Sequence, residues 1–451
     1  MPKSKANHQI SPGIVHVVLV PGFAGFAALG QMDYYAGLTP QLLRWQRRRR
    51  RASRQRRVIL HYFPNFPTAS VRTRAARLTG YLMKRIARAD FQVGDRIALV
   101  GHSTGGLDIR RMIYDLAKDP VAPFFVDGIP HDRSVLRGDI PTARRLLSLI
   151  ERVVFISVPQ YGTNIANWVR DRQMKANLLI AQLRTSVELS QVPLVDQLQT
   201  QLLGLVAGAS QLNLLEAVQD ALEEAEVRTS ASPMQTALAQ EAASELALYL
   251  RHIATDFGAI NDLTANVVPG YPNSPAHFNQ ARRQEEKDIW KGYGIKTRSY
   301  ATLGARPFQF ATDQPAPLWV PENPLTCLAA KPTSDWSRSD IFYHACYLAC
   351  AGGLFDLHKV DGFTNRPPHK LEPWDSDGIV NTASMLWPDG KRTVLVHSDH
   401  MDIVGHYHLV AAAPPTNGRR YQSYDLLKSG SGFGPSEFER VWNGIFDFCV
   451  A

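Results

Sequence analysis

Arg96-Ile97-Ala98-Leu99-Val100-Gly101-His102-Ser103-Thr104-Gly105-Gly106-Leu107-Asp108-Ile109-Arg110-Arg111-Met112-Ile113 is the stretch around which the 451-residue chain is organised. Residues 96–100 form a short apolar run of strand type, and residues 107–117 carry the spacing of a helix. Between them stands a serine with glycine two positions before it and two after, Gly101 and Gly105. A chain that passes from strand to helix through so few residues must turn sharply. The positions flanking the turn must then be very small. Such a turn lifts the Ser103 hydroxyl clear of the sheet. It also sets the Thr104 backbone N–H at a helix start, where the dipole favours negative charge. The plainer alternative is a glycine-rich connecting turn that happens to contain serine.

Working outward, residues 15–20 (Val-His-Val-Val-Leu-Val) read as a buried strand running into the loop Pro21-Gly22-Phe23-Ala24-Gly25-Phe26. Further strands are predicted over residues 58–63, 152–158, 296–304 and 392–398. A helix is predicted over 71–89, where Leu78, Tyr81, Leu82 and Ile86 recur at helical spacing. Near-continuous apolar runs suit central strands of a parallel sheet covered on both faces. Strands alternating with helices predict a doubly wound, mostly parallel α/β sheet. Residues 168–292 show no strand pattern and are read as a large helical cap or lid inserted into that sheet. Its stretch 202–209 is very apolar: either a lid face for lipid or a buried helix of the cap. The organisation expected is a flexible N-terminus over 1–13, sheet domain over 14–167, cap over 168–292, and the rest of the sheet domain over 293–451. A second insertion of loop and helix is read at about 307–353.

The bulk numbers fit this picture. With 45% apolar and 20% charged residues the composition is that of a globular protein. The formal charge of +9 equals the nine arginines Arg44, Arg47 to Arg51, Arg54, Arg56 and Arg57, with no acid among them. Residues 41–57 are read as a basic helix or loop. No basic patch with interleaved aromatics recurs elsewhere, which excludes a nucleic-acid partner. The run from Arg47 to Arg51 is a candidate for peripheral contact with an anionic membrane; a solvated surface is the alternative. Cys346 and Cys350, four apart on a helical stretch, are poorly placed to bridge each other. Cys327 bridged to one of them, or free buried thiols throughout, both remain open. Residues 14–30 lack charge but are broken by Pro21 and several glycines, so they read as strand and loop rather than an export signal. The expectation is a cytoplasmic protein, or a secreted one whose leader was removed.

A serine nucleophile needs a base, an acid to orient that base, and donors for an oxyanion. Asp377, in Trp374-Asp375-Ser376-Asp377-Gly378-Ile379-Val380, and His400, in His397-Ser398-Asp399-His400-Met401-Asp402, follow Ser103 where loops at strand ends are expected. Asp375 and Asp389 rival the acid; His397, His406 and His408 rival the base. Spacing alone does not choose among them. The Pro21-Gly22-Phe23 turn is placed to bring the Phe23 N–H beside that of Thr104.

These landmarks resemble the bacterial triacylglycerol lipases of the α/β-hydrolase superfamily. Residues 17–26 look like the oxyanion strand and loop, and Gly101 to Gly106 like the lipase serine turn. Ile156-Ser157-Val158-Pro159-Gln160-Tyr161-Gly162-Thr163 is similar to a family strand ending in Thr-Pro-His-x-Gly. Residues 376–385 and 399–405 are similar to the acid and histidine segments of the thermoalkalophilic lipases. The resemblance implies the α/β-hydrolase fold, a triad of Ser103, Asp377 and His400, and oxyanion donors at Phe23 and Thr104. It also makes Asp402, two residues after the histidine, the candidate ligand of a structural calcium. The further acid that the thermoalkalophilic group supplies falls at Tyr407, which cannot replace it. Pro21 and Gln160 stand where the family carries histidine. The implied activity is lipase or esterase hydrolysis of an acyl-ester or lipid substrate, with no cofactor required. Polyester hydrolase, phospholipase and thioesterase stay open within that class. A non-catalytic protein that binds an acyl ligand or partner on the same fold is the alternative outside it.

Overall fold

The computed structural model describes residues 13–23, 25, 28–29, 32–49, 56–118, 124–126, 129–131, 140–170, 258–264, 280–304, 346–347, 350, 355–361, 370–407, 427 and 429–451. Six strands form one sheet: β1 (Val15–Val20), β2 (Val58–Tyr62), β3 (Arg96–His102), β4 (Ile150–Ile156), β5 (Lys296–Leu303) and β6 (Val394–His397). Their order across the sheet is β6-β5-β4-β3-β1-β2, and every pairing is parallel. The predicted α/β fold with a parallel sheet is therefore present. Strand order reverses at β1 and β3, where β1 pairs with β3 on one side and β2 on the other. At such a reversal, crossovers leave the sheet on opposite faces and open a crevice at the strands' carboxyl ends.

Alternation along the strands supplies two cores. Val15, Val17, Leu19, Ala98, Val100, Val154 and Ile156 face helices α1 (Leu38–Arg49) and α8 (Pro435–Val450). Val18, Val20, Ile97, Leu99, Val153 and Phe155 face α2 (Val71–Ala87), α3 (Thr104–Lys118), α4 (Ile140–Leu149) and α7 (Gln280–Gly292). Two shorter helices, α5 (Asn164–Arg170) and α6 (Ala259–Asp262), lie beyond β4 in the chain. Every residue of β1 is buried, including His16. This explains why its hydrophobic run is continuous rather than alternating. Fully burying a side chain such as Ile445 or Phe446 of α8 contributes roughly 1.5–3 kcal/mol.

Local signals set the helix ends. Ser70 caps α2 by accepting the Thr73 N–H at 3.2 Å. Pro435 opens α8 where its missing N–H costs nothing. Residues 41–49, read as helix or loop, are helix. Its arginines are partly engaged: Arg48 pairs with Glu439 and Arg49 with Asp447, both on α8. Arg50, Arg51 and Arg54 lie outside the described residues. So do residues 1–12, most of the 168–292 cap including its apolar stretch 202–209, most of the 307–353 insertion, and Cys327. Within the range read as cap, α7 packs against the sheet, with Ile289 and Trp290 in the same core as α3. Cys346, Cys350 and Cys449 are free, buried thiols, and burial pushes the Cys350 and Cys449 thiols up to about 12.

Candidate functional site

Ser103 is the single residue between β3 and α3, and its φ is +52°. A non-glycine residue in the left-handed region is strained and is held there by its surroundings. Its N–H donates to the Ile156 carbonyl at 2.9 Å, and its own carbonyl accepts from the Gly106 N–H at 3.0 Å. The glycines are required by close approach. A Cβ on Gly105 would lie 2.3 Å from the Val20 carbonyl oxygen, and one on Gly106 2.2 Å from a Val158 methyl. The loop after β1 lies directly over the serine, since a Cβ on Gly22 would meet the Ser103 Cβ at 2.5 Å.

Asp377 and His400 meet on the adjoining loops after β5 and β6. His400 Nδ1 lies 2.7 Å from Asp377 Oδ2, and the His400 N–H donates to the Asp377 carbonyl at 3.0 Å. Asp377 is itself fully positioned. Its Oδ1 accepts the Ile379 and Val380 N–H groups at 3.0 and 2.8 Å, and its Oδ2 lies 2.6 Å from Thr302 Oγ1. Thr302, at the end of β5, also sits 2.8 Å from Ser157 Oγ. Asp377 thus fixes the ring through Nδ1. The His400 loop is tied to the serine turn by its neighbour: His102 Nε2 lies 2.9 Å from the His400 carbonyl oxygen. The other candidate acids and bases stand elsewhere. His397 is exposed. His406 is buried with its Nε2 3.0 Å from the Tyr34 carbonyl. Asp375 accepts the Glu372 N–H at 2.9 Å, and Asp389 lies beside Arg392. His408 lies outside the described residues.

The Pro21-Gly22-Phe23 loop is held from behind by one buried cation. Arg74 donates to the Pro21 and Gly22 carbonyls at 2.7 and 3.0 Å, to the Pro67 carbonyl at 3.1 Å, and to the Phe66 carbonyl. Asp108, in the first turns of α3, balances it at 2.9 Å, and Asn65 donates to the same carboxylate at 3.0 Å. Burial nonetheless pushes the Asp108 carboxyl up to about 6 against the pull of Arg74. With its carbonyls turned toward Arg74 and the Gly22 N–H taken by Tyr34 Oη at 3.0 Å, the loop arrives at Ser103 in one orientation. Thr104, whose N–H is the other expected donor, opens α3 and is buried. Arg74, Asp108, Tyr34 and Thr302 escaped the sequence reading. None lies in a recognisable motif, and a buried arginine on a predicted helix gives no periodic signal.

The Asp402 carboxylate is engaged within the protein. Its Oδ2 accepts the Asp399 N–H at 3.0 Å and the Ser431 hydroxyl at 2.7 Å. Asp399 in turn accepts the Met401 and Asp402 N–H groups at 2.8 and 2.9 Å and the Ser429 hydroxyl at 2.7 Å. Among the described residues no three His, Cys, Asp or Glu side chains are grouped to hold a metal ion. The two acids brace the loop that carries His400. Among the described residues, no helix is long and apolar enough to cross a membrane.

No family model and no curated protein matches the sequence. Several solved structures are similar to it. Lipase BlEst2 of Bacillus licheniformis in mature form has a TM-score of 0.33 and 11% identity, over 88% of this chain and 87% of that one. Phospholipase PlaB from Legionella pneumophila in complex with thio-NAD has a TM-score of 0.28 and 11% identity, over 66% of this chain and 39% of that one. A further PlaB structure has a TM-score of 0.21 and 16% identity, over 34% and 27%. This chain thus spans well under half of the phospholipase. All three scores are low, and the functional reading rests on this chain's own geometry.

Proposed function

We propose that the protein is a serine hydrolase of carboxylic esters, of lipase or esterase type. His400 takes the Ser103 proton, Ser103 attacks the acyl carbon, and the alcohol leaves with that proton. Water, activated by the same imidazole, then releases the acid from the acyl-enzyme. Asp377 holds the imidazole and balances its charge while it is protonated. The N–H groups of Phe23 and Thr104 are the assigned donors to the oxyanion, each worth about 3 kcal/mol of barrier in comparable sites. The observation that carries the reading is the Asp377–His400 hydrogen bond of 2.7 Å on loops tied to a serine at φ +52°. No step requires a metal or organic cofactor.

A fluorophosphonate probe tests it. Ser103 is expected to be labelled in folded protein, and labelling is expected to vanish in Ser103→Ala and His400→Ala. Intact wild-type protein that takes no label would sink the enzyme and favour a non-catalytic acyl-binding protein. Rates across p-nitrophenyl esters of rising chain length, with and without an interface, then separate esterase from lipase.

A further inference from the structure

We propose that Tyr34 and His102 are positioning residues, forming a one-way hydrogen-bond chain that sets the oxyanion loop and the catalytic histidine as a single unit. The proposal rests on the reading of Ser103, Asp377 and His400 given above.

Chemistry fixes the direction of each link. His102 Nε2 lies 2.9 Å from the His400 carbonyl oxygen. A carbonyl only accepts, so Nε2 carries the proton. The ring is completely buried, and burial together with the charge of His400 holds its pKa well below the usual histidine range. The imidazole is therefore neutral, and Nδ1 is an acceptor. Tyr34 Oη lies 2.6 Å from that nitrogen and must donate to it. Burial raises the phenol pKa, which keeps that proton in place. The phenol oxygen then accepts the Gly22 N–H at 3.0 Å. From Gly22 to Tyr34, to His102 and to His400, every donor points the same way. The opposite His102 tautomer would set a bare nitrogen against the His400 carbonyl.

Both ends of the chain carry function. Gly22 precedes Phe23, the assigned oxyanion donor, and a Cβ on it would meet the Ser103 Cβ at 2.5 Å. At the other end, the held carbonyl belongs to the general base, whose N–H is pinned to the Asp377 carbonyl at 3.0 Å. Tyr34 is anchored in turn by His406 on its carbonyl at 3.0 Å. Base and oxyanion donors must be set to fractions of an ångström, and a shift of about 1 Å can cost on the order of 100-fold in rate. The residue before the nucleophile thus does more than fill the turn.

A double-mutant cycle on p-nitrophenyl butyrate hydrolysis tests the chain. Tyr34→Phe and His102→Leu are each expected to lower kcat about tenfold or more with KM within about threefold. The double variant is expected to lose no more than about threefold beyond the worse single. Losses that multiply, losses confined to KM, or wild-type kcat in Tyr34→Phe would overturn the proposal. If His102→Leu does not fold, His102→Gln replaces it in the cycle with the same expectation. Nitrogen-15 NMR of the wild-type protein reads the tautomer without activity. A His102 proton on Nε2 and a bare Nδ1 near neutral pH are expected, and a proton on Nδ1 overturns the chain. Wild-type protein that takes no fluorophosphonate overturns the hydrolase reading instead, and the nitrogen spectrum then decides the chain alone.

Discussion

Thr302 shows how one hydroxyl can matter at a site without touching the substrate. Its single proton can serve one acceptor. Asp377 Oδ2 at 2.6 Å is the nearer one, and Ser157 Oγ lies 2.8 Å from the same threonine oxygen. Ser157 is held at φ +51° with its N–H on the Tyr300 carbonyl, which fixes its backbone beside Thr302. Thr302→Val keeps the shape and removes the proton. It is expected to lower kcat about tenfold and leave KM unchanged, with Thr302→Ser restoring most of the rate; steady-state ester hydrolysis checks both. Asp377 and His400 were singled out by the resemblance of their segments to lipase acid and histidine segments, since spacing alone left Asp375, Asp389, His397, His406 and His408 beside them. Thr302 and Tyr34 were not. A threonine in a strand and a tyrosine after a loop are ordinary residues, and only the tertiary approach of 75 and 68 positions gives them partners.

The turn between β3 and α3 separates two kinds of steric demand. The nearest atoms to a methyl on Gly106 would be in the Val158 and Phe155 side chains, whereas those to one on Gly105 would be in the backbone carbonyls of Val20 and Pro21. Gly106→Ala is expected to cost about 1–3 kcal/mol of stability, as overpacked cores do. Adding Val158→Ala should recover much of it in urea unfolding. Gly105→Ala should cost more, lose fluorophosphonate labelling, and resist rescue by trimming any side chain, because a backbone cannot be trimmed. The six strands were readable from apolar runs, but their ends were not. β3 continues through Gly101 and His102, which the composition gives no reason to place in a strand. They stay extended because they sit opposite Phe155 and Ile156 of β4. Pairing partners, not hydrophobicity, decide where such a strand stops. The helix-or-loop choice for residues 41–49 was settled by tertiary packing too, since α1 buries Leu38, Leu42 and Trp45 against α8.

Across the whole molecule, buried polar groups join segments that are distant in sequence, and each carries a measurable cost. Near the amino end of β1, His61 of β2 lies 2.8 Å from His16, whose other nitrogen faces Asp95 at 3.2 Å. Burial, with Arg85 and His16 nearby, lowers the His61 pKa to about 4 from an ordinary 6.5. A histidine held below its unfolded value supports the fold fully above about pH 6.5, and that support is lost as pH falls through 4. The melting temperature should therefore fall less steeply between pH 6.5 and 4 in His61→Gln than in wild type, and equal slopes would remove the assignment. On the other face, Arg110 of α3 and Glu286 of α7 form a fully buried ion pair at 2.8 Å. Arg110 also donates to Gln160 Oε1 at 2.7 Å and stacks 3.8 Å over the Trp387 ring. This junction holds α7 where the chain re-enters the sheet, four residues ahead of β5. Sequence could not reveal it, because charged residues on predicted helices ordinarily face water. Glu286→Leu leaves a buried guanidinium without its carboxylate and is expected to cost about 3–5 kcal/mol in urea unfolding. Arg110→Met with Glu286→Leu removes both charges and should lose far less than the single. If the pair instead contributed through its attraction alone, the double variant would be no more stable than Glu286→Leu. The comparison therefore tells whether the junction needs its charges or only the absence of an unmatched one.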